Sequence, residues 1–290
     1  MNKLTDTQLK EVKTMQKNEI TEYYIYKNIA KRIKDEKNKA IILDIASEEK
    51  RHAEIWEKYT GISMKPKAFK IFLYKILNLI FGFTFVIRLM ERGEEVAQET
   101  YLDLGKVIPE ALEIKEEEDE HEDELIEALN EERLSYIRAV VLGLNDALVE
   151  LTGALAGLSF AISDNKIITL TGLITGIAAS LSMAASEYLS SKAEGNDKAF
   201  KSSLYTGSAY VIVVAILIMP YILLTNPFVS LAIMISSAML IIFIFNYYMS
   251  VALNLSFKKR FLQMASISLG VAGFSFLIGM ILRFTLGVDI

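Results

Sequence analysis

Five apolar stretches, each longer than 20 residues, follow one another after residue 135: Ile137–Ala161, Ile167–Leu189, Leu204–Thr225, Phe228–Leu253 and Met264–Leu286. A helix needs about 20 apolar residues to cross a bilayer core of about 30 Å. In lipid every backbone polar group has to be satisfied internally, so only helices and closed barrels can span. Five is an odd count and the runs are too long for strands, which excludes a bacterial outer-membrane barrel. The fold class expected is therefore all-α, with a five-helix transmembrane bundle over residues 135–290.

The rest of the chain is different material. Residues 1–134 hold 29 Asp and Glu against 22 Lys and Arg, while residues 135–290 hold only 7 against 9. A positive mean hydropathy of +0.32 beside 23% charged residues is the average of an acidic, water-soluble half and a nearly uncharged one. The domain boundary is expected near residues 134 and 135. No basic face stands out, so a nucleic-acid partner is not expected. With no cysteine in 290 residues, a disulfide scaffold, a thiolate metal site and a thiol nucleophile are all excluded.

The loops between the apolar stretches give an orientation. Ser190–Ser203 carries Lys192, Lys198 and Lys201, and Asn254–Gln263 carries Lys258, Lys259 and Arg260. If all five stretches span, these two loops share a side, and the opposite loops carry only Lys166. The positive-inside rule puts the basic loops and the N-terminal half in the cytoplasm and the C-terminus outside a cell (inner) membrane. Met1–Lys17 is polar and charged and does not read as a signal peptide.

Ionisable groups inside a span are costly and mark function by default. Asp146 and Glu150 lie four apart on one face of the first span, beside Asn145. Met183 and Glu187 are again four apart in the second. Carboxylates suit hard divalent ions, and a thioether shifts preference toward later transition metals. Small residues crowd these two spans, Gly143, Gly153, Gly157, Gly172 and Gly176 among them, and permit close helix approach.

In the soluble half, both histidines of the chain sit three residues after a glutamate, in Glu49-Lys-Arg-His52 and Glu118-Asp-Glu-His121. Positions i and i+3 share a helix face, so each pair can bind one metal. Two such pairs, plus one glutamate from each of two further helices, make the carboxylate-bridged di-iron site of a four-helix bundle. The second pair is less specific, because eight of the nine residues from Glu116 to Glu124 are acidic.

A first helix over about Thr5–Lys34 offers Glu19, with Glu22 as alternative, and Ile20, Tyr24, Lys27 and Ala30 trace its expected amphipathic stripe. The third helix offers Glu94, with Glu95 and Glu91 as alternatives. Glu94 is preferred because it precedes Tyr101 by seven residues, as Glu19 precedes Tyr26. Phe69–Met90 imitates a sixth span, but its uninterrupted apolar core, Ile76–Ile87, is too short to cross. Crossing would also part the two Glu-x-x-His pairs. It reads as an interfacial helix continuing into Arg88–Gly105, or as an ordinary buried bundle helix. After Pro109 the acidic helix is expected to run to about Arg133 and feed the first span.

Two family resemblances rest on these residues. Glu19, Glu49-x-x-His52 with Ala53-Glu54-x-Trp56, and Glu118-x-x-His121 resemble the erythrin branch of ferritin-like proteins. Arg138-x-x-x-x-Gly143-x-x-Asp146 and Ser182-Met183-x-x-x-Glu187-Tyr188-Leu189-Ser190 resemble the vacuolar iron transporter family. The combination is similar to the membrane-bound ferritins, in which the first is fused to the second.

The resemblance implies a homodimeric five-helix transporter that moves Fe²⁺ or Mn²⁺ out of the cytosol, usually against protons. The family's pathway Asp and Met fall on Asp146 and Met183, the path expected here also includes Glu150 and Glu187, and a non-haem di-iron site would lie in the N-terminal half. Relatives carry a long Glu- and Met-rich insertion between spans two and three, for which Ser190–Ser203 has no room. Rubrerythrins also carry a cysteine-ligated iron, which this chain cannot hold. The alternative is a membrane-anchored ferroxidase or peroxidase. A third reading makes the N-terminal half an iron sensor that gates the transporter.

Overall fold

Thr5 opens the first helix with a capping box: its hydroxyl accepts from the Gln8 amide at 3.3 Å, and the Gln8 side chain accepts from the Thr5 amide at 2.9 Å. Helix α1 then runs Asp6–Ala30. Helix α2 (Glu36–Thr60) starts on Asp35, whose carboxylate accepts from the Asn38 amide at 2.8 Å, and stops at Gly61 in the left-handed region at φ +67°. They are followed by α3 (Ala68–Phe81), α4 (Phe83–Glu95), α5 (Gln98–Leu104) and α6 (Glu110–Ala128). The computed structural model describes residues 4–95, 98–128, 137–253 and 255–286. The side chains at 94, 95, 98, 122–124, 126–128, 138 and 286 lie outside that description. Arg133 and the expected junction with the first span also lie outside it.

Every regular element among the described residues is an α-helix. The chain divides into two compact units, Met1–Glu131 and Glu132–Ile290. In the first, α1 packs along α2, α3 packs on α1, and α6 packs on α2 and α5. Its core joins Val12 and Met15 of α1 to Trp56 of α2, Tyr101 and Leu104 of α5, and Ala111 and Ile114 of α6.

Two expectations for this unit need correction. The buried stripe of α1 runs through Val12, Met15, Glu19, Glu22, Tyr26 and Ile29, not through Ile20, Tyr24 and Lys27. Tyr24 is exposed. A stripe that includes two glutamates looks polar in sequence, although it is the inner one. The second correction is at 69–105, which does not form one continuous helix. Gly82, at φ +90°, ends α3 and separates it from α4. A residue with a Cβ is strained there. The break separates two kinds of surface. On α4, Phe85, Val86, Ile87 and Met90 are buried, while on α3 Phe69, Phe72, Leu79 and Ile80 face outward.

The second unit contains α7 (Ile137–Ala161), α8 (Asn165–Ala193), α9 (Ala199–Leu223), α10 (Pro227–Ala252) and α11 (Phe257–Leu286). All five are long and apolar enough to cross a membrane. The short turn before α10 works as its residues suggest: Pro227 occupies the first helical turn, and the Asn226 side chain accepts from the amides of Phe228 and Val229 at 2.9 and 3.3 Å. Helix α7 is central and packs against the other four. The shared core includes Leu148, Leu151 and Leu155 of α7, Tyr210, Val214 and Leu217 of α9, and Met234, Ala238 and Ile242 of α10.

Gly143 decides how closely α7 meets α9. A Cβ built on it would lie 2.5 Å from the Thr206 carbonyl oxygen. The Thr206 hydroxyl donates to the Ala139 carbonyl at 3.0 Å across the same contact. Because the obstacle is backbone, it cannot swing away. Gly143→Ala is expected to cost about 1–3 kcal/mol, as overpacking of a closed contact does. It should lower the thermal midpoint of the full chain in detergent. An unchanged midpoint would show that the two helices are not held this close.

Candidate metal centre

Four side chains of the N-terminal unit converge: Glu19 from α1, Glu49 and His52 from α2, and Glu118 from α6. One ligand atom from each lies within 4.8 Å of all the others. Glu19 and Glu49 are about as buried as the leucines of a core, at 2% and 1% exposure, and His52 is fully buried. Burying several carboxylates without cations is very costly. Each sits on the inner stripe of its helix: Glu49, His52 and Trp56 follow Ile42 and Ile45, and Glu118 and His121 follow Ala111 and Ile114. The helical period that buries the apolar residues brings the ligand types inward as well.

The two imidazoles are oriented alike. His52 turns Nδ1 toward the cluster, 3.1 Å from Glu118 and 3.9 Å from Glu19, while its Nε2 pairs with Glu117 at 2.7 Å. His121 turns Nδ1 inward, 3.6 Å from Glu118 and 3.9 Å from Glu49, and its Nε2 pairs with Glu48. That inner Nδ1 of His121 is buried with no hydrogen-bond partner. The rings stack at 5.9 Å. A carboxylate on the outer nitrogen, with the inner nitrogen left for the ion, is how metal-bound histidines are held. The donors are all oxygen and imidazole nitrogen, which fits a borderline divalent ion.

The structure places Tyr101 and Trp56 on Glu19. The Tyr101 hydroxyl donates to Glu19 Oε1 at 2.8 Å and the Trp56 indole N–H donates to the same oxygen at 3.3 Å. Sequence reasoning used Tyr101 and Trp56 only as markers and did not assign Glu117 or Glu48 a role. Trp56 lies seven residues after Glu49, two helical turns, so its place on the same face was there to be read. Glu22 is paired with Lys70 at 2.9 Å and Glu91 with Arg88 at 3.0 Å. The Glu94 and Glu95 side chains are outside the described residues.

The cluster is strongly polarised. Burial, with the charge of Glu118, pushes the Glu19 carboxyl up to about 7. Burial opposes charge on His52, but the carboxylates of Glu118, Glu19 and Glu117 outweigh it and raise the imidazole to about 9. Burial likewise opposes ionisation of Glu118, but the adjacent imidazoles of His121 and His52 hold that carboxyl down at about 2.

A metal ion has to displace the protons that Glu19 and His52 hold. Both groups sit above their ordinary values, so metal uptake must weaken as pH falls. Between pH 9 and 7 His52 competes, joined by His121, whose imidazole Glu118 and Glu48 also raise, and affinity is expected to drop at least about tenfold per unit. Below pH 7 Glu19 competes too, and the slope steepens toward about a hundredfold per unit. Titration of the full chain with Fe²⁺ at pH 6, 7 and 8 checks this. Affinity independent of pH would show that these two groups do not bind the ion.

The membrane unit carries a second group. Asp146 and Glu150, one turn apart on α7, lie close enough to share a hydrogen bond. The Tyr210 hydroxyl of α9 donates to Glu150 Oε2 at 2.8 Å. Near one end of α8, Glu187 accepts from Ser191 at 2.7 Å and from Ser202 at 2.5 Å. It lines a cavity of about 480 Å³ together with Asn145, Ser186, Ser190, Glu194 and Ser202. Asn145 adjoins Asp146 in sequence, and its side-chain Oδ1 is buried without a hydrogen-bond partner. Met183 is half-buried against the apolar core.

A family model described as the VIT family, the vacuolar iron transporters, matches residues 137–197. That segment comprises α7, α8 and the turn after them, and it carries Asp146, Glu150, Met183 and Glu187. No curated protein matches the chain. The match does not extend into the N-terminal unit. Similarity to a transporter family and five apolar helices together point to a membrane protein that handles metal ions.

Proposed function

We propose that this chain exports Fe²⁺, or Mn²⁺, from the cytosol across the cell membrane as a homodimer, with protons moving the other way. The observation that carries the proposal is the overlap of the family match with Asp146, Glu150, Met183 and Glu187 of α7 and α8. The N-terminal unit, read as an erythrin-type ferritin-like bundle, captures the ion at Glu19, Glu49, His52, Glu118 and His121, with Glu94 of the third bundle helix completing a di-iron set. When bound there, iron would supply redox chemistry toward O₂ or peroxide. The chain's own residues supply the cage: Glu117 and Glu48 fix the imidazoles, and Tyr101 and Trp56 fix Glu19.

In the membrane unit the ion enters at the polar cavity beside Glu187 and passes to Asp146 and Glu150, with Met183 as a soft ligand on the way. Two carboxyls that can share a proton suit exchange, because the ion displaces the proton on binding and its release restores it. The ion has to bind weakly enough to leave. An exposed stripe on α8, Leu170, Ile174, Ile177 and Leu181, is spaced to face lipid.

The test is Fe²⁺ movement into or out of proteoliposomes carrying the full chain, with an imposed pH gradient, against protein-free liposomes. Flux that follows the gradient is the expected result. A second reading, a membrane-anchored ferroxidase, draws on how deeply the N-terminal cluster is buried. Fast Fe²⁺ oxidation by the full chain with no flux would favour it over transport.

A further inference from the structure

The acidic N-terminal half contains one stretch with no acid at all. From Lys58 to Met90 there is no Asp or Glu, but there are Lys58, Lys65, Lys67, Lys70, Lys75 and Arg88. Helix α3 lies within it. Phe69, Phe72, Leu73, Ile76 and Ile80 recur at three- and four-residue spacing along one face of α3, with Leu79 beside them. Their exposures are 77%, 60%, 40%, 36%, 59% and 55% in the order named. Only Asn78 of this helix is buried.

The other side of α3 is pinned to α1. Lys67 donates to the Asn18 side chain at 2.7 Å and its amide to the Thr21 hydroxyl at 2.9 Å, while Lys70 pairs with Glu22 at 2.9 Å. Two lysines thus hold the helix to its bundle, and two others, Lys65 and Lys75, are left exposed beside the apolar face. Two large rings and four aliphatic side chains lined up in water would be a standing liability for a soluble domain.

We propose that this face of α3 is a membrane-surface anchor: the phenyl and aliphatic side chains enter the headgroup layer of an anionic leaflet, and Lys65 and Lys75 pair with lipid phosphates. An amphipathic helix with large apolar residues on one face and lysines at its margin binds a bilayer interface in this way. The charge decides the occupant. A second copy of the chain would bring the same cations to the interface, whereas an anionic leaflet neutralises them. The partner is also at hand, because the same chain carries five helices able to cross a bilayer. The inference rests on that membrane reading and not on any metal.

The absence of cysteine makes the test direct. Single variants Phe72→Cys, Glu113→Cys on α6 and Leu181→Cys on α8 are labelled with an environment-sensitive fluorophore in the full chain. They are reconstituted in vesicles of phosphatidylcholine with phosphatidylglycerol. A nitroxide carried on the upper acyl chain should quench the labels at 72 and 181 several-fold more than the label at 113. Quenching at 72 should weaken when phosphatidylglycerol is left out, or when Lys65→Gln and Lys75→Gln are added. Quenching at 72 by aqueous iodide alone would overturn the anchor. So would a label at 72 reached by neither quencher that self-quenches as the labelled fraction rises, which would make the occupant a second copy. Loss of lipid quenching at 181 as well would overturn the membrane reading with it.

Discussion

Asp146→Ala is expected to abolish metal flux, lowering the rate at least about 100-fold. Asp146 is one of two carboxylates within a largely apolar helix, in the segment that matches the transporter family. Removing it takes away a charged ligand and one half of the pair with Glu150. It takes away little packing, because Asp146 is only half-buried and belongs to no apolar cluster. Asp146→Asn keeps the shape and a hydrogen bond to Glu150 while removing the charge, and the same loss is expected from it. Thermal midpoints of both variants in detergent should stay near wild type, which separates lost transport from lost folding. Undiminished flux in either variant would remove Asp146 from the path and leave the Glu187 cavity as the remaining route.

How much of this could be read in the sequence depends on the range of the interaction. Glu49 with His52, Glu118 with His121, and Asp146 with Glu150 were legible because three- and four-residue spacings put side chains on one helix face. The five spans were legible because lipid requires length and apolarity, and Asp146 stood out against that background. Partners on other helices were not legible. Nothing local links Tyr210 to Glu150, 60 positions away on another helix.

The acidic run 116–124 shows the opposite difficulty. With so many carboxylates together, sequence cannot say that Glu118 faces the cluster while its neighbour Glu117 holds the outer nitrogen of His52. Gly82 was missed for a third reason. Apolar periodicity continues straight through it, and a glycine inside a helical pattern is tolerated often enough that only the backbone reveals the turn.

Glu49→Ala should separate the two units' roles, and its effect on metal binding is expected to be large. Glu49 is 1% exposed and faces Glu19, His52 and Glu118, so its loss removes a ligand from the centre of the cluster. Affinity of the full chain for Fe²⁺ at this centre should fall about 100-fold or more. Stability should reveal the same loss. An ion that binds only the folded chain stabilises it by about 2.7 kcal/mol at 100 times its Kd. At a concentration that gives wild type this gain, the variant should gain almost nothing. Without metal the variant loses the hydrogen bond between Glu49 and Glu19, and truncating a buried side chain leaves a cavity, so the metal-free variant should unfold earlier than wild type. Flux at saturating Fe²⁺ should change little, since Asp146 and Glu187 are untouched, while flux at low Fe²⁺ should fall if the N-terminal unit captures the ion for export. If the unit senses iron and gates the path, Glu49→Ala and His52→Ala should flatten the rise of flux with Fe²⁺. Equal flux at every concentration would uncouple the N-terminal centre from transport and leave oxidation of Fe²⁺ as its remaining activity.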